Sequence, residues 1–260
     1  MSLQSFYELV RVMERLRAEN GCPWDRKQTH ESLKPYLIEE TYEVISAIDS
    51  GNDDELKEEL GDLLLQIVFH AQIAKEDGRF DIDDVAKTIV EKLIRRHPHV
   101  FGDLKVSGSD EVLQNWEKIK KEEGKESIFD GVPEGLPSLL KARRVQEKAK
   151  RVGFDWNNIE GTLDKVKEEF DELSEAIKFG KKEKISEEFG DLLFSLVNVS
   201  RFLDIDAEDS LRQTIEKFMK RFKSVEKIIK SKGGKDLKNY TINELDEIWE
   251  DVKRREKKDE

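Results

Sequence analysis

The sequence predicts an all-α protein made of one helical module used twice. Three observations predict it. Apolar residues recur at helical spacing along almost all of the 260 residues. Gly (15) and Pro (5) are scarce, which disfavours a turn-rich sandwich or barrel. Residues 39–70 align with 168–199 without a gap, with identities at Glu39, Glu40, Glu43, Ala47, Ile48, Gly51, Glu58, Glu59, Gly61, Asp62, Leu63, Leu64 and Val68.

The elements follow in order. Phe6, Leu9, Val10, Met13, Leu16 and Arg17 mark a first amphipathic helix that stops near Asn20-Gly21. A second is expected over residues 33–48, ending at Gly51, and a third over 53–75, ending before Gly78. Asp81 or Asp83 caps a fourth, which runs to Arg96 and closes at Pro98; a fifth covers 110–122. Residues 130–137, with two Pro and two Gly, read as a linker, and Pro137 suits the first turn of the next helix. Beyond it the pattern recurs. Residues 81–96 match 206–221, so the second copy has a shorter connection, and Gly21-x-x-Trp24 is echoed by Gly153-x-x-Trp156. The expected domains are 1–129 and 138–260.

Charge narrows the function classes. The 58 acids outnumber the 46 bases, giving a formal −12, and the charged fraction of 40% far exceeds the ordinary quarter or so. Such a surface opposes binding DNA or RNA through the phosphate backbone. No apolar run is long enough to span a membrane, and Met1-Ser2-Leu3-Gln4-Ser5-Phe6 lacks the basic and apolar regions of a signal peptide. The single cysteine, Cys22, excludes an intramolecular disulfide framework and reads as a packed thiol. A cytoplasmic setting is expected. His97 and His99 flank Pro98, where they terminate a helix and bond locally.

Each copy carries E-E-x-x-E followed, fifteen residues on, by E-x-x-D. The first set is Glu39, Glu40, Glu43, Glu59 and Asp62; the second is Glu168, Glu169, Glu172, Glu188 and Asp191. Five acids at fixed spacing arise by chance at roughly one in two thousand starts. One set would be unremarkable; two inside matching helices show duplication. With about 100° per residue, and an apolar stripe centred on Leu37, Val44 and Ile48, Glu40 and Glu43 fall on one flank. Against Leu56, Leu63 and Ile67, Glu59 and Asp62 fall on the same flank of the next helix. The short connection makes the two helices antiparallel neighbours.

Four carboxylates there would repel one another, and a hard divalent cation removes the conflict. The expected metal ligands are Glu40, Glu43, Glu59, Asp62, Glu169, Glu172, Glu188 and Asp191. Glu39, Glu58, Glu168 and Glu187 lie farther round, as solvent groups or as supports that orient the ligands. Carboxylate-only ligation favours Mg²⁺, with Mn²⁺ an alternative, over Zn²⁺; a di-iron bundle would need E-x-x-H pairs. The competing reading is a solvated acidic face.

These motifs resemble the MazG family of nucleoside triphosphate pyrophosphohydrolases in its tandem form. The resemblance rests on Glu39-Glu40-Thr41-Tyr42-Glu43 with Glu59-Leu60-Gly61-Asp62, and on Glu168-Glu169-Phe170-Asp171-Glu172 with Glu188-Phe189-Gly190-Asp191. The words Cys22-Pro23-Trp24-Asp25-Arg26-Lys27-Gln28-Thr29-His30, Arg95-Arg96-His97-Pro98-His99-Val100-Phe101-Gly102 and Val152-Gly153-Phe154-Asp155-Trp156 extend it over essentially the whole chain. It implies an all-α fold, a homodimer with a four-helix site, and Mg²⁺-dependent cleavage of a nucleoside triphosphate to monophosphate and pyrophosphate. The general base would be one of the carboxylates, unassigned.

Candidate substrate cations come in repeated pairs. Lys92 with Arg96, and Lys217 with Arg221, share a helix face. By resemblance they face phosphates; as plain helix ends they would answer the dipole. Trp116 with Lys120, and Trp249 with Lys253, repeat W-x-x-x-K, either as base stack and phosphate contact or as core with a surface charge. Lys184 stands one turn before Glu188, where the first copy has Glu55, so the second half is expected to carry most of the activity. Two other functions compete: a narrower all-α dUTP or dNTP pyrophosphatase, and a non-enzymatic helical interaction module.

Overall fold

Thr29 opens the element that positions the first site. Its side chain accepts from Ser32 N, and Ser32 Oγ accepts from Thr29 N, a reciprocal cap that starts the helix ahead of the expected residue 33. In this computed structural model the described residues are 4–108, 111–112, 115, 119, 127–231 and 237–259, with side chains described through 256. Among them there is no strand. The helix expected over 110–122 lies almost wholly outside them.

The chain divides into two compact units, Met1–Trp116 and Glu117–Glu260. The division falls upstream of the Pro/Gly stretch at 130–137. That stretch is anchored in the second unit by the buried Lys148, whose Nζ donates to Ile128 O at 2.7 Å and Asp130 O at 3.5 Å.

The first unit contains α1 (Gln4–Arg17), α2 (Pro23–Lys27), α3 (His30–Ser50), α4 (Asp53–Glu76), α5 (Ile82–Arg96) and α6 (Pro98–Phe101). Gly51 ends α3 in the left-handed region at φ 67°, where a side chain would be strained. Asn52 then accepts from Asp54 N and Glu55 N and starts α4. This tight reversal lays α3 and α4 antiparallel. Met13, Leu33, Val68, Phe69 and Ile73 form the core where α1, α3 and α4 meet. Arg17 is buried beside it: it pairs with Glu76, donates to Asp25 O and Gln28 O, and lies 5.4 Å from the Phe69 ring centroid. One guanidinium thus fastens α1 to α4 and to the short α2, an element the periodicity had not separated.

The second unit repeats the plan with α7 (Ser138–Lys150), α8 (Ile159–Phe179), α9 (Lys182–Phe202), α10 (Ala207–Ser231), a 3-10 turn at Leu237–Asn239 and α11 (Ile242–Asp259). Pro137 occupies the N-cap of α7, one residue outside the helical turn expected for it. Gly180, at φ 70°, reverses α8 into α9 as Gly51 does α3 into α4. Val225, Ile229 and Val252 bind α10 to α11.

The apolar stripe sits differently from its expected place. Ile48 and Ile67, taken as stripe residues, are exposed, and so are Ile177 and Leu196 at the matching positions. Val44 is buried as expected, but burial on α3 continues with Leu33 and Ala47, and on α4 it follows Val68, Phe69, Ala71, Ile73 and Ala74. The inner face is therefore rotated toward Glu40 and Glu169, which draws the carboxylates into the helix seam.

Two carboxylate clusters, candidate metal centres

On α3, Glu40 and Glu43 are one turn apart; across the seam Glu59 rises from α4. Carboxylate oxygens of these three lie within 4.8 Å of one another. Burial first, then a hydrogen bond shared with Glu43 and the charges of Asp62 and Glu43, pushes the Glu40 carboxyl above its ordinary range. Glu59 is raised in the same way, by burial and by Glu43 and Asp62. Asp62 therefore faces the cluster electrostatically while standing outside its tight triad. Gln66 reaches Glu40 with Nε2 at 3.5 Å; its place one turn after Asp62 was the available sequence signal, and it was missed.

The second unit brings Glu169, Glu172 and Glu188 together within the same 4.8 Å. Here Glu169 and Glu188 are almost fully enclosed, at 6% and 5% exposure. Glu172 is pushed up by burial and by its neighbours Glu169 and Glu188. Asp191 is exposed and outside the triad. Lys184 touches the cluster, with Nζ 2.6 Å from Glu188 and 3.2 Å from Glu187. Lys165, missed in the sequence, does the same from α8, at 2.8 Å from Glu169 and 2.7 Å from Glu168. Its signal was the spacing it shares with Lys184, one turn before a triad glutamate. Hydrogen bonds to these carboxylates raise both lysines, Lys184 to about 12.

The outer acids divide. Glu39, Glu58, Glu168 and Glu187 are all exposed, but Glu168 and Glu187 share those lysines. Lys92 and Arg96 are half-buried on α5, and Lys217 is exposed on α10. Arg221 is engaged with Glu256 at 2.7 Å. Trp249 packs in the α10–α11 core, its ring centroid 5.1 Å from that of Phe218, and Lys253 bonds Glu250 at 2.7 Å. Trp116 and Lys120 lie outside the described residues. His97 Nδ1 donates to Leu93 O at 2.6 Å, a local helix-end contact.

Oxygen donors only, three to a cluster and destabilised by their own repulsion, fit a hard divalent ion. Fold and site together define a tandem all-α protein with an acidic, metal-compatible centre in each half. The domain family described as "MazG nucleotide pyrophosphohydrolase domain" matches the chain twice, over residues 28–101 and 157–226, and the chain belongs to that family. The Thermotoga maritima protein named nucleoside triphosphate pyrophosphohydrolase/pyrophosphatase MazG is 55% identical over 251 residues, 95% of either chain. The nucleoside triphosphate pyrophosphohydrolase of Escherichia coli strain K12 is 45% identical, covering 95% of this chain and 97% of its own. Among solved structures, a mazG-related protein from Thermotoga maritima aligns over 44% of this chain and 98% of its own, at 30% identity and a TM-score of 0.39.

Proposed function

We propose that this protein hydrolyses nucleoside triphosphates, ribo- or deoxyribo-, to the monophosphate and pyrophosphate, with Mg²⁺, in the service of nucleotide-pool control. The observation that carries the reading is the duplicated carboxylate triad in a member of this family whose relatives carry that name. Glu40, Glu43 and Glu59 with Asp62, and Glu169, Glu172 and Glu188 with Asp191, would hold the metal. Bound there, Mg²⁺ (or Mn²⁺) supplies charge neutralisation for the triphosphate and lowers the pKa of water.

The chain's own residues do the rest. Water attacks the α-phosphorus, the bond to the bridging oxygen breaks, and pyrophosphate leaves. A carboxylate of the cluster takes the water's proton. Lys184, Lys217 and Arg221, with Lys92, Arg96 and Lys120 in the first module, would meet the phosphates. Trp249, Lys253 and Trp116 complete the proposed substrate contacts. Modules 1–129 and 138–260 are the working units.

The reaction is assigned to the cytoplasm and to a homodimer. No helix among the described residues is long and apolar enough to cross a membrane. Exposed apolar residues recur in each unit, Ile48, Leu60 and Ile67 in the first and Ile177, Phe189 and Leu196 in the second, and a second copy would cover them. The test is incubation of the full chain with Mg²⁺ and a panel of standard, deoxyuridine and damaged triphosphates, followed by separate assays of pyrophosphate and orthophosphate. Pyrophosphate in stoichiometry with monophosphate is expected. Orthophosphate alone, or no product, refutes the reading.

A further inference from the structure

The two clusters differ in their counter-ions. Among the described residues no lysine or arginine pairs with Glu40, Glu43, Glu59 or Asp62; Glu40 instead accepts from the neutral Gln66 amide at 3.5 Å. The positions that correspond to Lys165 and Lys184 hold Tyr36 and Glu55, and Glu55 accepts from Ser50 Oγ at 3.0 Å. In the second unit each buried glutamate carries its own ammonium. Lys165 sits one turn before Glu169 on α8, and Lys184 one turn before Glu188 on α9. The helices are antiparallel, so the cations bracket the triad from opposite ends.

Each lysine side chain is partly exposed, 37% for Lys165 and 53% for Lys184, and carries its ammonium on a flexible four-carbon stem. Either can swing away without unpacking the helix. A divalent ion entering the triad would take the oxygens the lysines hold now. The released charges would then stand at the rim, beside the place a phosphate chain would occupy.

Resting on the proposed metal-dependent reading, we propose that Lys165 and Lys184 are built-in counter-ions of the second cluster. A divalent cation enters the first cluster unaided but enters the second by displacing both lysines, an exchange favoured when a triphosphate receives them. Metal and nucleotide binding are then coupled in the second module and independent in the first.

The test is calorimetric titration of the full chain with Mn²⁺, with and without a triphosphate carrying a methylene bridge between its α- and β-phosphorus atoms. Glu43→Gln and Glu172→Gln assign the sites. Without nucleotide, the site lost in Glu172→Gln is expected to be about tenfold weaker than the one lost in Glu43→Gln. Lys165→Met with Lys184→Met should bring the two within about threefold, and should abolish the tightening that nucleotide causes in the second site. Thermal melts report folding, and the single lysine variants, each recovering part of the difference, serve if the double variant fails to fold. Equal sites in the unsubstituted chain, or a second site indifferent to the lysine changes, overturn the proposal. Absence of Mn²⁺ from both clusters overturns the metal reading beneath it, a distinct result.

Discussion

His30 and His70 meet Nδ1 to Nδ1 at 2.8 Å, with ring planes 1° apart, so only one of the two nitrogens carries a proton. Arg79 settles which. Its Nη2 lies 2.7 Å from His30 Nε2, and a guanidinium only donates. In the neutral pair His30 therefore holds its proton on Nδ1 and donates to His70, leaving the His70 Nε2–H buried without a hydrogen-bond partner.

Burial first, and the charge of His30 second, depress the His70 pKa below its ordinary 6.5. Between the depressed value and 6.5 the unfolded chain binds the extra proton, so stability rises with pH. The contribution is full above 6.5 and is lost as pH falls through the folded-state value. The other charges at the pair are Arg79 and its partner Asp77, joined at 2.8 Å. The raised carboxyls Glu40 and Glu59 act in the opposite sense, favouring the fold as pH falls. The first unit is expected to lose a few degrees of Tm from pH 7.5 to 5.5, and His70→Asn to remove most of that slope. An unchanged slope in the variant would assign it elsewhere.

The repulsion inside the first cluster gives a prediction of stability. Glu43 contributes to holding up both Glu40 and Glu59. Glu43→Gln removes that charge and should raise the Tm of the metal-free protein. The same change should erase the stabilisation that Mg²⁺ gives the first unit, about 2.7 kcal/mol at a hundredfold excess over Kd for a site bound only when folded, and leave that of the second unit in place. Scanning calorimetry with chelator and with Mg²⁺ separates the two effects. A lower metal-free Tm in the variant would show that Glu43 stabilises the seam.

The helices were legible because their signals are local: Asp81 and the glycines at 51 and 180 each set a boundary by their own chemistry. The triads were legible because a repeat fixes residue type and spacing together. The seam's rotation was not, since Ile48 is as apolar as Val44 and only tertiary packing decides which is covered. Lys165 was hidden by abundance, one i, i+4 pair among many in a chain with 40% charged residues. The His30–His70 contact joins residues forty apart in sequence on consecutive helices, and no periodicity announces it.

Gly21 is required by space. A Cβ there would stand 2.2 Å from Leu16 O and 2.5 Å from Arg15 O, both backbone atoms at the end of α1. Gly21 N donates to Ala18 O and Cys22 N to Leu16 O, so the turn has little room to open. Gly21→Ala should cost about 3 kcal/mol, at the upper end for overpacking. Denaturant unfolding measures it, and a loss under about 0.5 kcal/mol, typical of an unconstrained surface site, would mean the turn relaxes freely.

The inequality of the two clusters bears on which half works. Lys165 and Lys184 place two mobile cations at the rim of the second triad, where a phosphate chain with several negative charges would need them. The first triad has Tyr36 and Glu55 at those positions, and the exposed Glu55 would repel the same chain. Removing Glu172 takes away one of three clustered oxygens from the better-equipped site. Glu172→Ala should therefore lower kcat about 100-fold or more, as expected when a metal's support is lost. Glu43→Ala should change it by less than about threefold, because the first site would contribute little turnover to lose. Steady-state pyrophosphate release from the two full-length variants decides the matter. Loss of turnover in Glu43→Ala with activity kept in Glu172→Ala would move catalysis to the first module and leave the lysine-bracketed cluster another role.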